Sequence, residues 1–135
     1  MTKLRDVMTP NPVVLPSDAG LDAAAREMKD ADIGDVLVQE DDGTLCGIVT
    51  DRDLVVRGLA DGRSNLGEVC SRGLYTLSPD ADVEEAVTVM REAAIRRIAV
   101  VDGNRPVGVV SLGDLALQED PGSALADISA AQPNN

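Results

Sequence analysis

Apolar positions recur along this chain in two rhythms. At Leu21, Ala24, Ala25 and Met28, and again at Val83, Ala86, Val87 and Met90, they fall three or four residues apart, the spacing that lines one face of a helix. Denser apolar runs follow each series. "DVLVQ" and "LCGIVT" flank a DDG turn, and "RIAVV" and "VGVVS" flank a DGN turn, so each pair predicts two strands joined by a hairpin. A short extended stretch precedes each helix, "PVVL" in one case and "LYTL" in the other. Thr50 or Ser111 closes each series at the N-cap of a second helix. Asp82, with Glu85 three residues on, predicts a capping box at the start of the helix that carries Val83 to Met90.

The two series are copies of one unit. "GIVTDRDL" from Gly47 returns as "GVVSLGDL" from Gly108, "DVMT" from Asp6 returns as "EVCS" from Glu68, and Ile33 answers Ile95. The second copy is one residue shorter in its hairpin loop, the kind of difference loops tolerate. The fold class predicted is α/β, a tandem repeat of two β-α-β-β-α units spanning residues 4–61 and 67–120, with a tail over 121–135. Each copy is too small to hide its apolar sheet face alone. Two copies facing one another predict pseudo-twofold symmetry, with paired clefts where the halves meet.

Composition narrows the chemistry. The 135 residues are 44% hydrophobic with no Phe or Trp, and Tyr75 is the only aromatic, so Leu, Val, Ile and Ala build the core. A formal charge of -12 argues against nucleic acid and against an anionic membrane surface as partners. No apolar run approaches the ~20 residues that span a bilayer, and the first ten residues lack the apolar stretch of a secretory signal, so a cytoplasmic location is expected. The absence of His removes the commonest general base and metal ligand; no enzyme activity, no metal and no required cofactor are expected. Cys46 and Cys70 each read as an isolated small core residue with no second thiol nearby.

With both copies laid side by side, the chain from Leu4 to Leu117 resembles a tandem pair of CBS domains, often called a Bateman module, of the stand-alone bacterial kind. The resemblance rests on "VMTPNPVV", on "IGDVLV" and "IRRIAV", and on the doubled ending in which Thr or Ser is followed three residues later by Asp. It implies a regulatory module that senses an adenosine-containing ligand such as AMP, ADP, ATP or S-adenosylmethionine. It also implies a homodimer through the CBS helices and an effector protein of unknown identity. The alternative is a dimeric interaction protein that works without any ligand.

Carried over residue by residue, the resemblance implies two sites. Site A joins Ile48, Thr50 and Asp53 of the first copy to Tyr75, Ile95, Arg96 and Arg97 of the second. Site B joins Ser111 and Asp114 to Asn11, Val13, Ile33 and Gly34. A carboxylate can accept hydrogen bonds from both ribose hydroxyls, and a helix N-terminus favours an anion. The same Thr/Ser and Asp spacing is also a capping box that needs no ligand, and adjacent arginines also serve as a solvated strand end, so both roles stay open on spacing alone. Asp35 stands where the second copy has Arg97, so site B is expected to favour a less anionic ligand. Val89 and Ala93 add a second apolar strip to the helix after Asp82, which is expected to lie at the dimer contact.

Overall fold

The computed structural model describes residues 2–119; the expected tail at 121–135 lies outside them. The chain divides into two compact units, one made of Met1–Asn11 with Tyr75–Asn135 and the other of Pro12–Leu74. We call these unit one and unit two. They cut the chain differently from the sequence repeats, because each repeat's leading segment belongs to the other repeat's unit.

Unit two runs through β2 (Val14–Pro16), α2 (Leu21–Ala31), β3 (Asp35–Gln39), β4 (Leu45–Thr50), α3 (Asp51–Asp53), a π-helical turn over Leu54–Leu59, and α4 (Leu66–Val69). Its sheet has the order β2-β3-β4, with β2 parallel to β3 and the β3–β4 hairpin antiparallel. Unit one repeats the plan with α1 (Leu4–Val7), β1 (Thr9–Pro10), β5 (Thr76–Leu77), α5 (Val83–Ala93), β6 (Arg97–Asp102), β7 (Arg105–Ser111) and α6 (Leu112–Glu119), in the sheet order β1-β7-β6-β5. The strands, hairpins and helices expected from the two apolar rhythms are all present.

The short leading helices explain the exchange. In unit one the Leu4 N–H donates to Ala81 O at 2.9 Å and the Arg5 N–H to Pro79 O at 3.1 Å, while Leu4 is fully buried. In unit two the matching helix docks in the same way, with Leu66 N–H on Ala19 O at 3.0 Å and Gly67 N–H on Ser17 O at 2.8 Å. Lys3 adds an ion pair to Asp82 at 2.8 Å, and Arg5 pairs with Asp80. The Asp82 bond and its charge raise the Lys3 pKa above the usual lysine value.

That ion pair corrects one expectation. Asp82 does stand at the N-cap of α5, but its side chain makes no capping bond; it turns to Lys3 instead, and no capping box with Glu85 forms. A cation within reach offers the carboxylate more than a backbone amide does.

Each unit has its own core. Ala24, Met28, Val36, Val38, Val49, Leu66 and Val69 pack together in unit two, and Leu4, Val83, Ala86, Met90, Ile98, Val100, Val110 and Leu115 in unit one. Both helices α2 and α5 stop in the same way. Asp32 and Ala94 adopt the left-handed conformation, at φ 56° and 55°, and the next residue's N–H returns to the last turn: Ile33 to Met28 O at 3.0 Å, Ile95 to Met90 O at 3.1 Å. This cap folds Ile33 and Ile95 back against their cores. Asp tolerates the left-handed region, whereas Ala94 has no such excuse. Ala94→Gly is therefore expected to stabilise unit one by about 0.5–1 kcal/mol, read as a raised urea midpoint at unchanged m-value.

Each hairpin carries one bulge. Val38 pairs with Gly47 but Gln39 with Leu45, leaving Cys46 as the extra residue; Val100 pairs with Gly108 but Val101 with Pro106, leaving Val107. The extra residue escapes strict alternation, so Cys46 turns toward the same core as Val49, and Val107 packs on the core of unit one.

Candidate functional site

The two Thr/Ser and Asp motifs are built alike. β4 ends at Thr50, whose hydroxyl accepts from Asp53 N–H at 3.2 Å while the Asp53 carboxylate accepts from Thr50 N–H at 2.9 Å. At the end of β7, Ser111 Oγ accepts from Asp114 N–H at 3.2 Å and Asp114 Oδ2 from Ser111 N–H at 2.9 Å. The capping role left open by the sequence is thus filled in both copies.

Capping leaves capacity for a ligand. Each hydroxyl still has its proton to donate, and each carboxylate, with roughly four lone-pair positions, has used one of them on the cap. Asp53 Oδ1 also lies 3.9 Å from Arg57 Nε, a long and partly solvated pairing. Thr50, Asp53, Ser111 and Asp114 are all partly exposed, so a solute can reach them.

Strand register decides what stands beside each motif. In unit one Arg97 is the direct cross-strand partner of Ser111, and Leu112 N–H donates to Arg96 O at 2.9 Å. Tyr75 precedes β5 at the adjoining edge, its carbonyl accepting from Ala99 N–H at 3.1 Å, and its ring is half exposed. Ile95 lies just before the two arginines. In unit two Asp35 is the partner of Thr50, and Asp51 N–H donates to Gly34 O at 3.0 Å. Val13 and Ile33 pack on the core beside them, and Val13 O accepts from Leu37 N–H at 2.9 Å.

The structure therefore brings Tyr75, Ile95, Arg96 and Arg97 together with Ser111 and Asp114, and brings Val13, Ile33 and Gly34 together with Thr50 and Asp53. Ile48 is buried on β4, two residues before Thr50. Asn11 lies in unit one, with φ 56° and its N–H on Val107 O at 3.3 Å. The resemblance implies a different grouping, in which each motif joins the other copy's strand residues across the two units. The register within each unit is itself legible in the hairpins, because the residue that opens one strand of a hairpin faces the residue that closes the other.

Two further expectations change. Val89 packs on the core of unit one, so the apolar strip read on α5 is partly used internally. Among the described residues the exposed large apolar side chains are instead Val55, Val56 and Leu59 after β4, with Leu112 and Tyr75 in unit one. Cys46 and Cys70 are buried as expected, but they are not isolated: their sulfurs lie 3.2 Å apart. Burial and the neighbouring Cys70 and Glu40 push the Cys46 thiol up to about 12.

Among the described residues no cluster of three or more His, Cys, Asp or Glu could hold a metal ion, and no helix is long and apolar enough to cross a membrane.

A duplicated βαββα unit that ends each hairpin in a hydroxyl–carboxylate pair defines a class of tandem α/β repeat, and comparison with known proteins gives the family. The CBS domain model matches twice, over residues 4–58 and 66–118, and the chain belongs to the CBS domain family as a tandem pair. It is 40% identical over 137 residues to the uncharacterized protein YlbB of Bacillus subtilis, covering 96% of this chain and 93% of that one. Hypoxic response protein 1 of Mycobacterium tuberculosis is 36% identical over 120 residues, covering 86% and 84%. Among solved structures, the CBS domain pair of protein MJ0100 in complex with 5'-methylthioadenosine and S-adenosyl-L-methionine superposes with a TM-score of 0.76 at 25% identity, covering 87% of this chain and 99% of that one.

Proposed function

We propose that the protein is a regulatory module that binds an adenosine-containing small molecule and has no catalytic step of its own. The observation that supports this reading is the Arg97–Ser111 register: it brings Arg96 and Arg97 of one strand and the Ser111–Asp114 cap of the next to one end of one sheet. The carboxylate and hydroxyl suit the two ribose hydroxyls, the arginines suit phosphate oxygens, and Tyr75 with Ile95 offers apolar surface for adenine. The adenosine compounds held by the CBS pair of MJ0100 support the same ligand class.

In this reading unit one takes an adenine nucleotide such as AMP, ADP or ATP. Unit two, with Gly34 and Asp35 in place of the arginines, takes an uncharged or cationic adenosine compound such as S-adenosylmethionine through Thr50 and Asp53, since a second carboxylate repels phosphate. The cross-repeat join of Asp53 to Arg96 and Arg97 is the competing assignment. Calorimetric titration with AMP separates the two: Asp114→Ala is expected to lose the heat and Asp53→Ala to keep it, and the reverse pattern restores the cross-repeat site. A protein that ignores every adenosine compound is the ligand-independent interaction module instead.

The module is further proposed to act as a homodimer through its helices, passing ligand occupancy to an effector protein from a cytoplasmic location. Leu59 is 78% exposed beside Val55 and Val56, an apolar strip whose burial would favour association. Leu59→Glu is expected to shift the sedimentation coefficient from dimer to monomer at micromolar concentration. A variant that sediments like the parent dimer excludes this strip from the contact.

A further inference from the structure

We propose that Cys46 and Cys70 form an oxidation site in unit two, where a two-electron oxidant joins them in an intramolecular disulfide that closes the loop carrying Thr50 and Asp53. The sulfurs stand 3.2 Å apart, against about 2.0 Å in a bond, so a small side-chain rotation suffices. Three features of the fold hold them there. The bulge between Val38 and Gln39 turns Cys46 inward. The segment after α4 pairs with β4, Ile48 N–H to Ser71 O at 3.2 Å and Ser71 N–H to Ile48 O at 2.9 Å, which fixes Cys70 beside that strand. Gly47 keeps the gap clear, since a Cβ there would sit 3.3 Å from Cys70 Sγ and overlap the Ser71 carbonyl.

The pair is particular to this unit. At the corresponding places of unit one stand Met8 and Val107, which pack on the core and cannot form a disulfide. Core packing alone is satisfied by those residues, so thiols are not needed for it.

With hydrogen peroxide the step balances as follows. One thiol loses its proton and its sulfur attacks a peroxide oxygen, the O–O bond breaks, and a sulfenic acid and water result. The second thiol attacks that sulfur, the S–O bond breaks, and water leaves with the second proton. Two thiols are oxidised and one peroxide is reduced to two waters. Cys46 and Cys70 are 9% and 5% exposed, so a small oxidant is expected to react faster than a bulky disulfide such as oxidised glutathione. Glu40 and Arg72, 3.8 Å apart, are charged groups that act on Cys46. Oxidation ties β4 to the end of α4, so the segment between them, with its π-helical turn and the Thr50–Asp53 cap, loses freedom in the unfolded chain.

The test uses the full chain, reduced and then exposed to hydrogen peroxide. Expected are loss of both free thiols by titration in denaturant, a mass lower by two hydrogens, a Cys46–Cys70 cross-linked peptide in a non-reducing digest, and an unfolding midpoint raised by about 5 °C or more and reversed by dithiothreitol. Cys46→Ser and Cys70→Ser abolish the cross-link and the rise. Thiols that persist, sulfinic acid at either position, or disulfides between molecules instead of within one overturn the proposal. A cross-link with no change in midpoint overturns its restraining role. None of these readouts depends on whether a nucleotide binds.

Discussion

Arg96→Ala combined with Arg97→Ala is expected to weaken AMP binding by about 100-fold while leaving adenosine binding within a few-fold of the parent. An arginine that meets a phosphate contributes charge-assisted hydrogen bonds of about 1.5–3 kcal/mol, and losing two of them reaches that factor even when partly offset by water. Adenosine lacks the phosphate, so its affinity reads the sugar and base contacts alone. Both arginines lie at the exposed or half-exposed start of β6, outside the core cluster of unit one, so the double variant is expected to keep its fold. Equal loss for AMP and adenosine would place the arginines in folding or positioning and not at the phosphate.

Gly47→Val carries the largest expected effect on stability. The strand β4 passes directly beneath Ser71, and any Cβ at position 47 would overlap the Ser71 carbonyl oxygen and stand 3.0 Å from its carbon. The obstacle is backbone held by two hydrogen bonds, which cannot step aside as a side chain could. A loss of about 3 kcal/mol or more is expected, seen as a collapsed urea midpoint. Gly108→Val meets Met8 Sδ at 2.5 Å and Thr9 O at 2.9 Å, and the flexible methionine absorbs part of the strain, so its loss is expected to be smaller. Gly34→Ala, with only Asp51 Oδ2 at 3.8 Å, is the control, expected to change stability by no more than about 0.5 kcal/mol. The glycine that opens both copies of the repeated phrase is thus there for close passage of another segment.

Much of the fold was legible because local rules decide it. Helix faces from Leu21 and Val83, the two hairpins, and the Thr50 and Ser111 caps follow from spacing of three, four and two, and all appear as read. What escaped depends on contacts distant in sequence. Asp82 left its capping role for Lys3, a partner far along the chain whose approach no window around Asp82 reveals. Cys46 and Cys70 looked separate because they stand 24 residues apart in sequence, and only the pairing of Ser71 with Ile48 brings them side by side. The leading helices trade places between units, so the Leu66 docking that brings Cys70 to β4 follows from tertiary packing of similar segments. In the candidate site the Thr50–Asp53 and Ser111–Asp114 pairs were legible from spacing, whereas the strand register that sets Arg97 against Ser111 and Asp35 against Thr50 follows from the hairpin fold.

The account stands most directly on amide chemical shifts of the labelled protein titrated with AMP. It predicts saturable, concerted shifts at Arg97, Ser111, Leu112 and Asp114 with one common dissociation constant, and little change at Thr50 and Asp53. Unmoved amides at Ser111 and Asp114 under saturating AMP, or a response centred on Thr50 and Asp53, would contradict it.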